Sequence, residues 1–403
     1  MELFWLEHKK LWRKKIVKIC VLLCFVYCVI FGSILSFQWF SFGSSDDYTS
    51  AFGNNFDGYT VIKDSQEYAL SFGGELTDET LQQIVSDYQQ MEADGMEKEL
   101  EKTDWQIVNS WLGTLYPELR DTSNYKTMIS YVDPDKLTGF YERRQQVLDE
   151  FLEVSGQVGA EKEYLHQIER KVEKPFHYEW VEGWSTLLGS MVADLGVVMA
   201  LFLGIVLSSL FAGEWHDNTS TLVLTTRNGW GKIALAKILT GFAFTVELFA
   251  LLAVSSVISQ LFFMGTAGWD MPIQNIKLIA VAPMNMLQAE IYEYAFVLLG
   301  AIGFAGIVMF ISAAVKNNVL TLLLSLAVVY GPMMIAEYLP YEMQKALDLI
   351  PLAGSSTDIF RTNTFRIFGK LIWSPYLLIT IPVLIGILCM PFAIKSWSRR
   401  MKA

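Results

Sequence analysis

Only four cysteines occur among the 403 residues, and none falls between residues 43 and 185. The longest polar stretch therefore has no disulfide framework. Cys20, Cys24 and Cys28 recur at every fourth position on one helical face. Small apolar packing residues explain that stripe better than a metal relay does. The four histidines, His8, His166, His177 and His216, are scattered, with no HExxH and no Cys/His ligand spacing for a metal. A phosphate-binding loop is absent too. The GWGK run at 229–232 would need Gly at 226 and Ser or Thr at 233, where the chain has Thr226 and Ile233. No fixed-period repeat or low-complexity tract is present. The chain is expected to be no enzyme, to carry no cofactor, metal or catalytic residue of its own, and to have no nucleic-acid partner.

Apolar sequence is what the chain has in quantity. Hydrophobic residues make up 52% of it. Six runs, 19–40, 195–213, 248–269, 295–315, 319–336 and 371–394, approach the ~20 residues that a helix needs to cross a bilayer. The run 278–289 is too short and reads as interfacial or re-entrant. The first run exceeds the h-region of a signal peptide, follows a long charged leader and lacks a small-x-small cleavage site, so it is expected to stay. The expected fold is an all-α polytopic membrane protein with six transmembrane helices.

Cations set its orientation. With the N-terminus inside, 14 Lys and Arg fall on the cytoplasmic side and five in the two short outer loops. Both termini are expected to be cytoplasmic. Residues 43–185 carry 29 acidic against 12 basic residues, so the formal charge of −11 comes from this outer part. An acidic outer surface either concentrates cations and cationic peptides near a pathway or keeps an exposed domain in solution.

Domain organisation follows. Residues 1–18 place Leu3, Phe4, Leu11 and Trp12 among Lys and Arg, the pattern of an amphipathic helix lying in the interface. Residues 19–42 are the first transmembrane helix. Residues 43–185 show helical periodicity: Leu81 to Met91 after Thr77, Trp105 to Leu115 after Thr103, Val147 to Leu152, and Tyr164 to Val172 before Pro175. That length can bury its own core, as a mainly helical extracellular domain. Residues 186–403 hold helices two to six.

The runs at 195–213 and 248–269 each extend upstream past one acidic residue, Asp194 and Glu247. A charge there costs ~2.5–3.5 kcal/mol or more unless paired or hydrated. Glu247 either lines a substrate path or bonds a neighbouring helix. Asp194, near the outer interface, reads as structural.

Between the second and third runs lies FAGEWHDNTSTLVLTTRNGWGKIALAK, residues 211–237, a polar, turn-broken segment. Glu214, Asp217 and Asn218 supply helix-start chemistry, 219–226 form a short amphipathic turn, and Arg227-Asn228-Gly229 breaks it. Lys232 and Lys237 anchor the following span inside. A short helix across the inner mouth is a surface that another protein can push.

This segment resembles the intracellular coupling region of type-2 ABC exporter permeases. The matching features are Glu214, Asn218-Thr219, Leu222-Val223-Leu224, Thr225-Thr226, Arg227 with Lys232, and Ala236-Lys237. Asn218 stands where that family usually has Gly, and Trp230 where a basic residue is common. Lys316-Asn317-Asn318 as a tight inner turn, and an enlarged first outer loop with TDETLQQIVSDY from Thr77 and KPFHYEWVEGW from Lys174, are similar to bacterial members. The resemblance implies a permease subunit in the bacterial cytoplasmic membrane, partnered by a second permease, identical or related, and by two separate ATPase subunits that hold ATP and Mg. It also implies an elbow at the N-terminus and coupling through the segment 212–234, at Glu214, Thr219, Leu222, Arg227, Trp230 and Lys232. The cargo expected is an amphipathic compound: a peptide, a cationic peptide included, an antimicrobial or a lipid-like molecule. The alternative is a mechanotransmission permease whose outer domain binds a peptide or envelope partner and whose ATPase drives signalling. A secondary transporter fits less well, because no inverted repeat or pair of broken helices stands out.

Overall fold

The computed structural model describes residues 2–41, 66, 73–95, 105–121, 126–217, 231–315, 317–353 and 362–399. They are mostly helical. A short helix α1 (Glu2–Arg13) bends at Lys14 into α2 (Lys15–Ser41), which is apolar almost throughout. An inserted domain follows: strand β1 (Gly74–Leu76), helices α3 (Asp78–Ala93), α4 (Trp105–Leu115), α5 (Phe140–Val154) and α6 (Ala160–Glu169), and strand β2 (Phe176–Tyr178). Strands β1 and β2 pair antiparallel, Glu75 opposite His177, and so bring the two ends of the domain together.

Local chemistry accounts for these helices. Thr77 caps α3, its side chain accepting from the Thr80 amide, which satisfies one of the amides left open at a helix start. Leu81, Ile84, Val85 and Tyr88 then bury one stripe of α3. Helices α3, α4 and α5 cover three of the periodic segments that the sequence marks, and α6 covers the fourth as far as Glu169, short of Val172.

The bundle consists of α7 (Val192–His216), α8 (Gly231–Met264), α9 (Met286–Ala314), α10 (Asn318–Ile335) and α11 (Ser374–Arg399). Five helices of the described residues are long and apolar enough to cross a membrane, and these five elements contain them. An Asn285–Gln288 capping box starts α9. Helices α9 and α11 make the closest approach. A Cβ placed on Gly306 would sit 2.6 Å from Gly386 Cα, and one on Gly303 2.4 Å from the Pro382 carbonyl oxygen. Small residues at such a crossing let two backbones meet directly.

Three expectations need correction. The run 278–289 is neither interfacial nor re-entrant. Leu278, Ala280, Val281, Ala282, Met286 and Ala289 pack into the hydrophobic core of the inserted domain. Residues 371–373 are not helical; they belong to strand β4 (Lys370–Trp373), paired with β3 (Thr364–Ile367) in a hairpin that precedes α11. The third apolar helix, expected to extend upstream past Glu247, starts at Gly231, and Glu214 and Asp217 do not start a helix but stand at the end of α7, where the Asp217 amide donates to the Gly213 carbonyl.

The inserted domain is joined to the α8–α9 connection by buried polar contacts. Arg144, fully buried, donates to the Leu278 and Ala280 carbonyls at 2.7 and 3.1 Å and to Glu169 at 2.5 Å. Trp111 donates to the Asn275 carbonyl at 3.0 Å, and Asn275 to that of His177 at 2.6 Å. Trp180 and Trp184 donate to the carbonyls of Met264 and Thr266. The domain and the end of the bundle therefore share one core.

Candidate functional site

The strongest concentration of buried charge lies where α1, α7 and α8 meet. Glu214, in the last turn of α7, is 4% exposed, and Lys237, two turns into α8, is 2% exposed. Lys237 Nζ donates to Glu214 Oε1 at 2.9 Å and to Glu7 Oε2 at 2.7 Å. Lys10 Nζ reaches the same Glu214 oxygen at 2.5 Å. One carboxylate oxygen thus holds cations from two elements, Lys10 of α1 and Lys237 of α8, and Lys237 is shared with Glu7 of α1. Lys14, at the α1–α2 bend, donates to Ser209 Oγ at 2.9 Å. Together with Asp217 these groups line a small cavity of about 30 Å³, enough for about one water molecule.

The charges tune one another. Burial works against the charged form of Lys10, but the hydrogen bond and charge of Glu214 outweigh it and hold the ammonium above its ordinary value. Lys14 is moved the other way, first by burial and then by the neighbouring Lys237 and Lys10.

Packing fixes the end of α7 that presents Glu214. Ser312 of α9 donates to the Ser208 carbonyl at 2.7 Å and accepts from the amides of Phe211 and Ala212, each at 3.1 Å. Trp397 of α11 is fully buried against Phe211 and Trp215, with ring centroids 5.4 and 6.1 Å away. Four helices therefore brace the turn that leads into residue 218.

Of the residues singled out by sequence, Glu214 is at the centre of this cluster and Lys232 lies in the first turn of α8, exposed and five residues before Lys237. Thr219, Leu222, Arg227 and Trp230 lie outside the described residues. The cluster stands at both ends of the segment that contains them.

Glu247 is at the middle of α8, yet it faces α1. Its carboxylate accepts from Trp12 Nε1 at 3.0 Å and pairs with His8 Nε2 at 3.2 Å. Helix α8 has 34 residues, about 51 Å at the ~1.5 Å rise of an α-helix, which exceeds a ~30 Å hydrocarbon core. Glu247 stands where α1 crosses α8. Asp194 lies in the first turn of α7, within hydrogen-bond reach of Tyr27 on α2.

Sequence reasoning passed over Lys10 and Lys237 as partners of Glu214, over Glu7 as the second partner of Lys237, and over Glu290 and Glu293, both buried on α9. The latter pair carried a signal, two acids three apart in an otherwise apolar helix. The α1 pairings, Lys10 with Glu214 and Glu7 with Lys237, join residues 204 and 230 positions apart and leave none, and Glu214 and Lys237 lie 23 apart on different helices. No protein-family model, curated protein or solved structure matches the chain.

Proposed function

We propose that the chain is the membrane subunit of an ATP-driven exporter of the type-2 ABC kind, with α2 as the first of six spans, α1 as its elbow and both termini in the bacterial cytoplasm. The observation that carries this reading is the Glu214 cluster. It joins α1 to the two helices that flank residues 218–230, through a carboxylate and an ammonium that are both almost fully buried. A partner pressing on 218–230 would move the end of α7 and the start of α8 together, and α1 with them. Packing and charge then transmit displacement into the bundle, which is what a subunit without its own motor requires. Two ATPase subunits, with ATP and Mg, supply the motion, and a second permease completes the pathway. The cargo is an amphipathic compound carried toward the outside.

The joint between the inserted domain and the α8–α9 connection favours a second reading, a sensor whose outer domain passes a ligand signal into the bundle. One experiment separates them. The chain is reconstituted in vesicles with a separate ABC ATPase that co-purifies with it, and uptake of a fluorescent amphiphile is followed. The exporter reading expects accumulation that needs ATP and ignores ion gradients. Hydrolysis that responds to the outer domain without any accumulation supports the sensor, and accumulation driven by an ion gradient overturns both.

A further inference from the structure

We propose that the cleft between the inserted domain and the end of α10 is a binding site for the phosphoryl head group of an anionic phospholipid, drawn from the leaflet on the side of the inserted domain, with Lys277 and Lys345 as the partners of its charge. Binding there is independent of the exporter reading and needs only that α10 crosses the bilayer.

The cleft has a volume of about 560 Å³, within the usual range for a drug-sized ligand. Three parts of the chain wall it. Phe151 and Ser155 come from the end of α5, Lys277 and Ile279 from the α8–α9 connection, and Tyr341 and Lys345 from the short helix Tyr341–Leu347 that follows α10. Junctions between a domain and its neighbour are favoured places for ligands.

Charge sets this cleft apart. Residues 43–185 carry 29 acidic against 12 basic residues, yet the charged groups that line the cleft are two lysines and one aspartate, Lys277, Lys345 and Asp348. A concave site with a prevailing sign focuses its potential on a ligand of the other sign. Lys345 is 7% exposed, and its Nζ lies 5.3 and 5.4 Å from the ring centroids of Tyr341 and Phe365. Those rings hold the ammonium in place. Its carboxylate partner, Glu342 at 2.9 Å, has a side chain that is 78% exposed, and so exposed a carboxylate gives way to a phosphoryl oxygen at little cost. Ser155 and Asn363 add a hydroxyl and an amide to the same lining, which suit the remaining phosphate oxygens.

The base of the cleft points to a lipid rather than to free phosphate. Ala336, the residue after α10, is part of the lining, and in the last turn of α10 Met333, Met334 and Ile335 are all exposed. Helix α10 is apolar and long enough to span, so these side chains meet acyl chains and the cleft begins where α10 ends. Tyr338 and Tyr341, both exposed, follow at once, as aromatic residues do at a bilayer boundary. A lipid lying against α10 thereby brings its head group to the two lysines.

The test is native mass spectrometry of the full chain, released from micelles that hold phosphatidylglycerol and phosphatidylcholine of matched acyl chains in equal amounts. We expect the first bound lipid to be phosphatidylglycerol about ten-fold more often than phosphatidylcholine. Lys345→Met and Lys277→Glu should each abolish that preference. Lys136→Ala, at an exposed lysine elsewhere on the inserted domain, should leave it intact. Equal retention of the two lipids by the wild-type chain, or the same loss in Lys136→Ala, overturns the proposal. Should Lys345→Met not fold, the exposed position 277 decides, and a preference that survives Lys277→Glu overturns it. Glycerol phosphate at the concentration of the lipid should displace nothing, and displacement would overturn the choice of a lipid. The measurement uses neither ATP nor a partner chain, so its failure leaves the exporter reading untouched.

Discussion

Neutralising Glu214 is the perturbation whose cost is most directly set by the geometry. In Glu214→Gln the side chain keeps its shape, but Lys237, 2% exposed, loses a charge partner at 2.9 Å and keeps only Glu7 at 2.7 Å. A pair at that separation is worth about 6 kcal/mol at an effective dielectric near 20. The desolvation of both ions offsets much of this, and removing one partner of a buried pair typically costs ~3–5 kcal/mol. Because Glu7 remains, we expect about 3 kcal/mol, the lower end of that range. Lys10 is half exposed and adds little beyond this. Pairing the change with Lys237→Met removes the stranded cation, so the double variant should lose less than the sum of the single ones by about 2 kcal/mol. The assay is equilibrium unfolding in mixed micelles, followed by tryptophan fluorescence, since Trp215 and Trp397 lie against the same turn. A single-variant cost below about 0.5 kcal/mol, or strict additivity, would mean that the cluster is only a surface ion pair.

Other expectations concern the rest of the molecule. Arg144→Met strips Glu169 of one partner, takes the Leu278 carbonyl's side-chain donor and leaves the Ala280 carbonyl with Gln274 alone; it should cost ~3–5 kcal/mol and raise amide hydrogen exchange across 273–285. Burial alone would raise the Glu169 carboxyl, but Lys174 and Arg144 outweigh it and hold the group below the ordinary value of 4.5. Its stabilising contribution is therefore intact above 4.5 and is lost only as pH falls through that depressed value, so an acid titration of domain fluorescence should hold flat to 4.5, and Lys174→Ala should move the transition upward. Gly306→Val places a Cβ where Gly386 Cα is 2.6 Å away; it should part α9 from α11 and lower thermal stability by ~1–3 kcal/mol, while Gly331→Ala, which meets nothing within 4 Å, should not.

What could be read from sequence was local. Thr77 and its apolar stripe announce α3 because cap and periodicity lie within one segment. The apolar run at 278–289 misleads because a domain core buries it as lipid would, and composition cannot tell the two solvents apart. Glu247 is central because the third run extends upstream past it, as the helix does back to Gly231, but its partners Trp12 and His8 come from α1, which no local pattern announces. Residues 371–373 are apolar and β-branched or aromatic in part, and a hairpin partner seven positions earlier decides them for strand. The site itself was half legible. Glu214 stood out beside its polar segment, but Lys237 reaches it across the α7–α8 contact, and Lys10 on Glu214 and Glu7 on Lys237 arrive only through the crossing of α1.

The central claim is that the face between α7 and α8 looks into the cytoplasm, where a motor can reach it. The direct measurement is labelling of Lys232→Cys in a Cys389→Ala background with a membrane-impermeant maleimide, with His177→Cys on the inserted domain as its counterpart. The account predicts that position 177 labels in intact cells and position 232 only after the membrane is broken. Labelling of position 232 in intact cells would contradict it.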